Sequence, residues 1–80
     1  MYREPKLKIK TDKRSRICLS NNLIAYRKRL NISRENLALH CEMDVKYLSR
    51  IESCSANASL DTLDKLSDGT GIAAGDLIAK

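Results

Sequence analysis

Apolar positions along this chain recur every three or four residues, the spacing of helices that bury one face. At about 100° per residue, Leu19, Leu23, Tyr26 and Leu30 fall within roughly 60° of one another and predict a first helix over about Leu19–Leu30, with Ser15 or Ser20 as its cap. Asn31-Ile32 turns the chain. Ser33 is a good N-cap for a second helix, about Arg34–Cys41, in which Leu37, Ala38 and Cys41 share a face. Asp44 opens a third over about Val45–Ser53. Ser59, with Asp61 favourably placed in the first turn, opens a fourth over about Leu60–Asp68, where Leu60, Leu63 and Leu66 make the apolar side. Gly69 or Gly71 ends that helix, and Ala74–Ala79 predicts a short fifth. The expectation is an all-α domain.

The third helix divides sharply by angle. With Val45 at 0°, Leu48 and Ile51 fall at about 300° and 240° and face inward, whereas Ser49, Lys46 and Arg50 fall at about 40°, 100° and 140°. Two short helices joined by a tight turn, the second showing long polar side chains, form a helix-turn-helix, which places a helix in the major groove of DNA. Lys46 and Arg50 stand one turn apart and can reach neighbouring base pairs or phosphates. Arg50 suits bidentate pairing with guanine O6 and N7, and Val45 suits a thymine methyl. Asp44 serves as a helix cap or as an acceptor for a cytosine amine.

Charge sharpens this picture. The chain has 80 residues and a formal net charge of +5, but residues 1–30 hold ten Lys/Arg against two acids, whereas residues 31–80 hold five against eight. A basic first third points to a polyanionic partner, or to a solvated arm. Residues 1–18 read as such an arm: Pro5 interrupts regular structure, and Lys6-Leu7-Lys8-Ile9-Lys10 alternates like a short strand. The expected division is therefore a basic arm over 1–18 and a helical domain over 19–80.

Composition excludes several function classes. Leu and Ile supply nearly all the bulk, with no Phe or Trp, an inventory for a small helical core rather than a sheet. Cys18, Cys41 and Cys54 show no CxxC spacing, and His40 is the sole histidine, so no zinc site is expected and the thiols read as reduced. His40 beside Cys41 has no acid–base constellation around it, which argues against an enzyme; no cofactor or small-molecule substrate is expected. Three scattered tyrosines do not make the stacking surface of a single-stranded RNA binder. No apolar run approaches membrane-spanning length, and MYREPKLKIK lacks the apolar stretch of a signal peptide, so the expected location is the cytoplasm.

Over about Leu19–Ile78 these residues resemble the Cro/C1-type helix-turn-helix domains, the XRE-like regulators. The stretches YRKRLNISRENLA, YLSRIE and LDTLDKL look like that family's recurring segments. The inward positions of the motif hold Leu37, Cys41, Met43, Leu48 and Ile51, and the small position holds Ala38. The resemblance implies a five-helix, lambda-repressor-like domain that binds double-stranded DNA as a transcriptional regulator, as a homodimer on a two-fold related operator. Phage-type repressors and restriction–modification controller proteins are the subgroups of similar size, the second slightly favoured. It also implies an ion pair between Arg27 and Glu52 and base reading by Val45, Lys46, Ser49 and Arg50. Phosphate contacts are expected from Arg34, at the start of the second helix, and from Lys28 and Asn57. Tyr47 packs inward or reaches a phosphate. The dimer interface falls to Ile72, Leu77 and Ile78. An antitoxin or partner-binding adaptor built on the same domain is the alternative.

Three positions depart from the family pattern. Glu42 stands where the turn usually has Gly, and a left-handed backbone there costs around 1 kcal/mol. The loop Ser55-Ala56-Asn57 has no basic residue for the DNA backbone. The last helix begins at Ala73 without a capping side chain and contains Gly75.

Overall fold

The structure, a computed structural model, describes residues 11–79, with side chains from residue 14. It contains five helices: α1 (Thr11–Leu30), α2 (Arg34–His40), α3 (Val45–Glu52), α4 (Leu60–Thr70) and α5 (Ala74–Leu77). The all-α class is as expected. The strand-like alternation at Lys6–Lys10 lies outside the described residues.

The first helix is longer than the expected Leu19–Leu30. α1 covers Thr11–Leu30, so eight of the eighteen residues read as an arm belong to the same helix as Leu19–Leu30. Thr11–Cys18 has no Gly or Pro, and its Lys and Arg are good helix formers; Pro5 and the Lys6–Lys10 alternation, which with charge suggest an arm, both precede it. Ser15 and Ser20 are accordingly interior positions and cap nothing. Ser20 is buried and donates its hydroxyl proton to the Glu52 carbonyl at the end of α3.

Every helix contributes to the core. Leu19 and Leu23 from α1, Leu37 and Ala38 from α2, Leu48 and Ile51 from α3, Leu66 from α4 and Leu77 from α5 close around Cys41. Leu77, expected at a dimer interface, is fully buried here and offers a partner no surface; Ile72 and Ile78 pack against the core and stay partly accessible. Leu60 is 80% exposed, because it lies about 120° round α4 from Leu66, beyond the buried stripe. Leu30 is half exposed, since the chain turns away immediately after it.

Left-handed residues end four of the helices. After α1, Asn31 (φ 56°) donates to the Lys28 carbonyl and Ile32 to that of Arg27. After α2, Glu42 (φ 52°) donates to Leu39 and Met43 to Ala38; after α3, Cys54 (φ 63°) donates to Ile51 and Ser55 to Arg50. Each pair of bonds is a Schellman closure, which satisfies carbonyls that the helix leaves open. Gly71 (φ 79°) ends α4, with its N–H on the Ser67 carbonyl. Gly69 has another role. A Cβ there would sit 2.9 Å from both the Cys41 Cα and the His40 carbonyl, so α4 crosses the end of α2 at a distance only glycine permits.

Candidate nucleic-acid interface

The motif is α2, the Glu42 turn and α3. Ser33 caps α2 by accepting the Asn36 N–H at 3.0 Å, and Asp44 caps α3 by accepting those of Lys46 and Tyr47 at 3.1 and 3.2 Å. Ser59 does the same for α4 through the Thr62 N–H. These caps set where each helix begins, and therefore which side chains of α3 face out. Lys46 and Arg50 are exposed one turn apart, and Ser49 is half-buried between them. Val45 is also half-buried and packs against the core. Leu48, Ile51 and Glu52 are buried on the other side.

Glu52 is the anchor of this arrangement. Its carboxylate is 2% exposed and receives two parallel bonds from the Arg27 guanidinium, Nε to Oε2 at 2.8 Å and Nη2 to Oε1 at 2.7 Å. Arg34 adds a third from Nε at 3.1 Å, and Arg27 also reaches the Ile32 carbonyl at 3.3 Å. The hydrogen bond to Glu52 raises the Arg27 pKa; burial opposes this, and the charges of Glu52 and Glu35 add to it. One carboxylate thus ties α1, the start of α2 and the end of α3 together. The forked geometry fixes orientation as well as distance.

The residues expected at phosphates are placed differently from one another. Arg34 is half exposed at the start of α2, with one N–H committed to Glu52. Lys28 is exposed in the last turn of α1, beside Arg29, whose guanidinium lies 5.9 Å from the centre of the Tyr26 ring. Tyr47 packs its ring against the core and donates its hydroxyl proton to the Asn57 carbonyl at 2.7 Å. The Asn57 side-chain oxygen accepts from Arg16 Nε at 2.6 Å, so both oxygens of Asn57 are used within the chain.

Three contributors escaped sequence reading. Arg16, Ser20 and Asn22 all lie in α1 and bind distant backbone or loops. Asn22 donates to the Leu77 and Ala79 carbonyls at 2.7 and 3.0 Å, which fastens α5. A signal was present for two of them: Arg16, Ser20, Leu23 and Arg27 continue one helical stripe toward the N-terminus. Burial raises the Cys41 thiol pKa, and no cluster of metal-binding side chains occurs among the described residues. No helix among them is long and apolar enough to cross a membrane.

A helix-turn-helix family model matches residues 23–77, from the buried part of α1 through α5. The chain belongs to the Cro/C1-type helix-turn-helix family. Its members are DNA-binding transcription regulators, not enzymes. Control protein C.BamHI of Bacillus amyloliquefaciens is 40% identical over 48 residues, covering 60% of this chain and 59% of that protein. The hypothetical transcription factor NHTF from Neisseria has a solved structure that superimposes with a TM-score of 0.76 at 29% identity, over 95% of this chain and 85% of the other.

Proposed function

We propose that the chain is a sequence-specific regulator that lays α3 in the major groove, as a homodimer on a two-fold related operator, in the manner of a restriction–modification controller. The observation that carries this is the division of α3: Lys46, Ser49 and Arg50 outward, Leu48, Ile51 and Glu52 locked inward. Arg50 reads guanine through its fork, and Lys46 reaches a base or phosphate one turn away. Val45 has only part of its surface left for a thymine methyl, and Ser49 supplies a short hydroxyl between the two cations. Arg34 sits where a helix N-terminus also favours a phosphate, and Lys28 extends the basic surface. Tyr47 and Asn57 act on the phosphate side mainly by shaping the loop, leaving the Asn57 amide group for the strand. The similarity to a control protein supports the controller role, and the +8 of residues 1–30 supports a polyanionic partner. A single small module buries limited surface on DNA, which supports a dimer; Ile72 and Ile78 are the accessible apolar candidates for its interface.

Selection from a randomised duplex library, followed by binding to the selected and a scrambled duplex, tests the reading. A two-fold related sequence should be enriched. Arg50→Ala should weaken binding to the selected duplex by about 1–3 kcal/mol and narrow the gap to the scrambled one. An unchanged gap would remove α3 as the reading element.

A further inference from the structure

The loop after α3, Ser53-Cys54-Ser55-Ala56-Asn57-Ala58-Ser59, contains no cation, and it follows the C-terminal, partially negative end of a helix. A phosphate passing there needs positive charge from another element. We propose that α1 supplies it: Arg16, held by Asn57, is a phosphate-binding residue for the DNA strand that runs past this loop. The inference rests on the reading of α3 given above.

Two hydrogen bonds in series place Arg16. Tyr47, in the first turn of α3 and next to Lys46, donates to the Asn57 carbonyl at 2.7 Å, which folds the loop back beside the opening of the recognition helix. Asn57 in turn accepts from Arg16 Nε at 2.6 Å. That bond uses Nε and leaves the two terminal amino groups, with four N–H donors, for a forked phosphate contact from the end of the guanidinium. The Asn57 amide group is a further donor on the same side. Arg16 and Asn57 line, with Ser15, Leu19 and Leu63, an open hollow of about 280 Å³, so there is space beside the guanidinium for a further group. The Cys54 thiol lies 3.8 Å from the Arg16 carbonyl, a second point at which this part of α1 meets the loop. Arg16 thus gives the loop a charge its own sequence lacks.

Binding of Arg16→Gln to the selected and the scrambled duplex, measured over a range of salt, tests this. Losing one phosphate contact should weaken both duplexes alike, by about 3- to 10-fold, and reduce the slope of log affinity against log salt by about 1. Arg16→Lys should restore the slope, because it restores the charge. Urea melts of each variant establish that it is folded. Wild-type affinity and slope in folded Arg16→Gln would overturn the proposal, as would equal losses in the Gln and Lys variants with lowered stability, which would mark a structural role. If Arg16→Gln does not fold, Asn57→Asp decides: its carboxylate should engage Arg16 and repel the strand, lowering affinity about tenfold, and unchanged affinity overturns the proposal. The base-reading role of α3 is judged separately, by the gap between selected and scrambled duplexes, which Arg16 should leave unaltered.

Discussion

Replacing Glu52 by Gln keeps the side-chain shape and removes the charge on which three helices converge. The buried carboxylate is 2% exposed and Arg27 is 17% exposed, so the forked pair is largely out of water. Breaking a buried pair from one side typically costs 3–5 kcal/mol, because the remaining charge stays buried and uncompensated. The amide retains one acceptor oxygen but turns the other position into a donor facing guanidinium N–H groups, and Arg27 keeps some water contact, so the lower end applies, about 3 kcal/mol. The Arg34 contact adds little, since that side chain is half in solvent. For a domain of this size the total stability is on the order of 4–12 kcal/mol, so the variant should fold with its melting temperature lowered by roughly 15 °C. Beside Glu52→Gln, urea denaturation of Glu52→Met, Arg27→Met and the double variant Arg27→Met/Glu52→Met forms a double-mutant cycle, in which the double variant should recover much of the loss. A cost below about 1 kcal/mol for Glu52→Gln, or strictly additive effects in the double variant, would refute the view that this pair holds α3 in place.

Two further outcomes follow from single residues. Glu42 is exposed at φ 52°, and an L-residue in that conformation carries about 1–2 kcal/mol of strain, of which the greater freedom of glycine in the unfolded chain returns about half; Glu42→Gly should therefore stabilise the fold by about 0.5–1 kcal/mol, measured as a higher melting temperature with DNA affinity unchanged. Cys41 is fully buried and its pKa is raised above 9.0 by desolvation, so it should react with a thiol reagent well after the half-buried Cys18 and Cys54. Because the folded state favours the neutral thiol, the contribution of Cys41 to stability is complete below the unfolded value and falls as pH rises through 9.0 toward the folded pKa. Arg27 does not contribute to that alkaline loss: its hydrogen bond to Glu52 raises a pKa that is already far above this range, so its charge is kept in both states. Equal reactivity of all three thiols, or a stability profile flat across pH 8–10, would contradict the burial of Cys41.

What the sequence made legible was what neighbouring residues decide among themselves. Ser33, Asp44 and Ser59 cap helices through bonds only two or three residues long, and the inward face of α3 follows from angle alone. Helical period also placed Leu19, Leu23, Leu37 and Leu66 in the core. Contacts between segments far apart in sequence were not legible. Leu77 looked like an available apolar residue because nothing local shows that α5 lies against α1, an arrangement fastened by Asn22. The start of α1 was hidden by its charge: Lys and Arg serve equally well in a solvated arm and on the exposed face of a helix. Arg16 was hidden for the same reason, since its partner Asn57 is 41 residues away.

The polar residues of α1 that touch the motif lie on one stripe, and all of them act on α3 or on the loop behind it. Arg16 reaches Asn57, Ser20 reaches the Glu52 carbonyl, and Arg27 grips the Glu52 carboxylate, while Leu23 fills the core between the last two. The turn that gives the motif its name contributes less: it has a strained Glu42 at its centre and two backbone bonds to close it. The orientation of the outward face of α3 is therefore set chiefly from behind, by α1, and only secondarily by the turn. This explains how the turn can dispense with glycine. A strain of about 1 kcal/mol at Glu42 is smaller than the roughly 3 kcal/mol that parting Arg27 from Glu52 would cost, so α3 keeps its angle even though its connection to α2 is not at its own minimum. It also links two of the cations proposed for phosphate contact. Arg16 belongs to α1 itself and Arg34 bonds the Glu52 carboxylate that α1 grips, so in that proposal the spacing of backbone contacts follows from the same helix that orients Lys46 and Arg50.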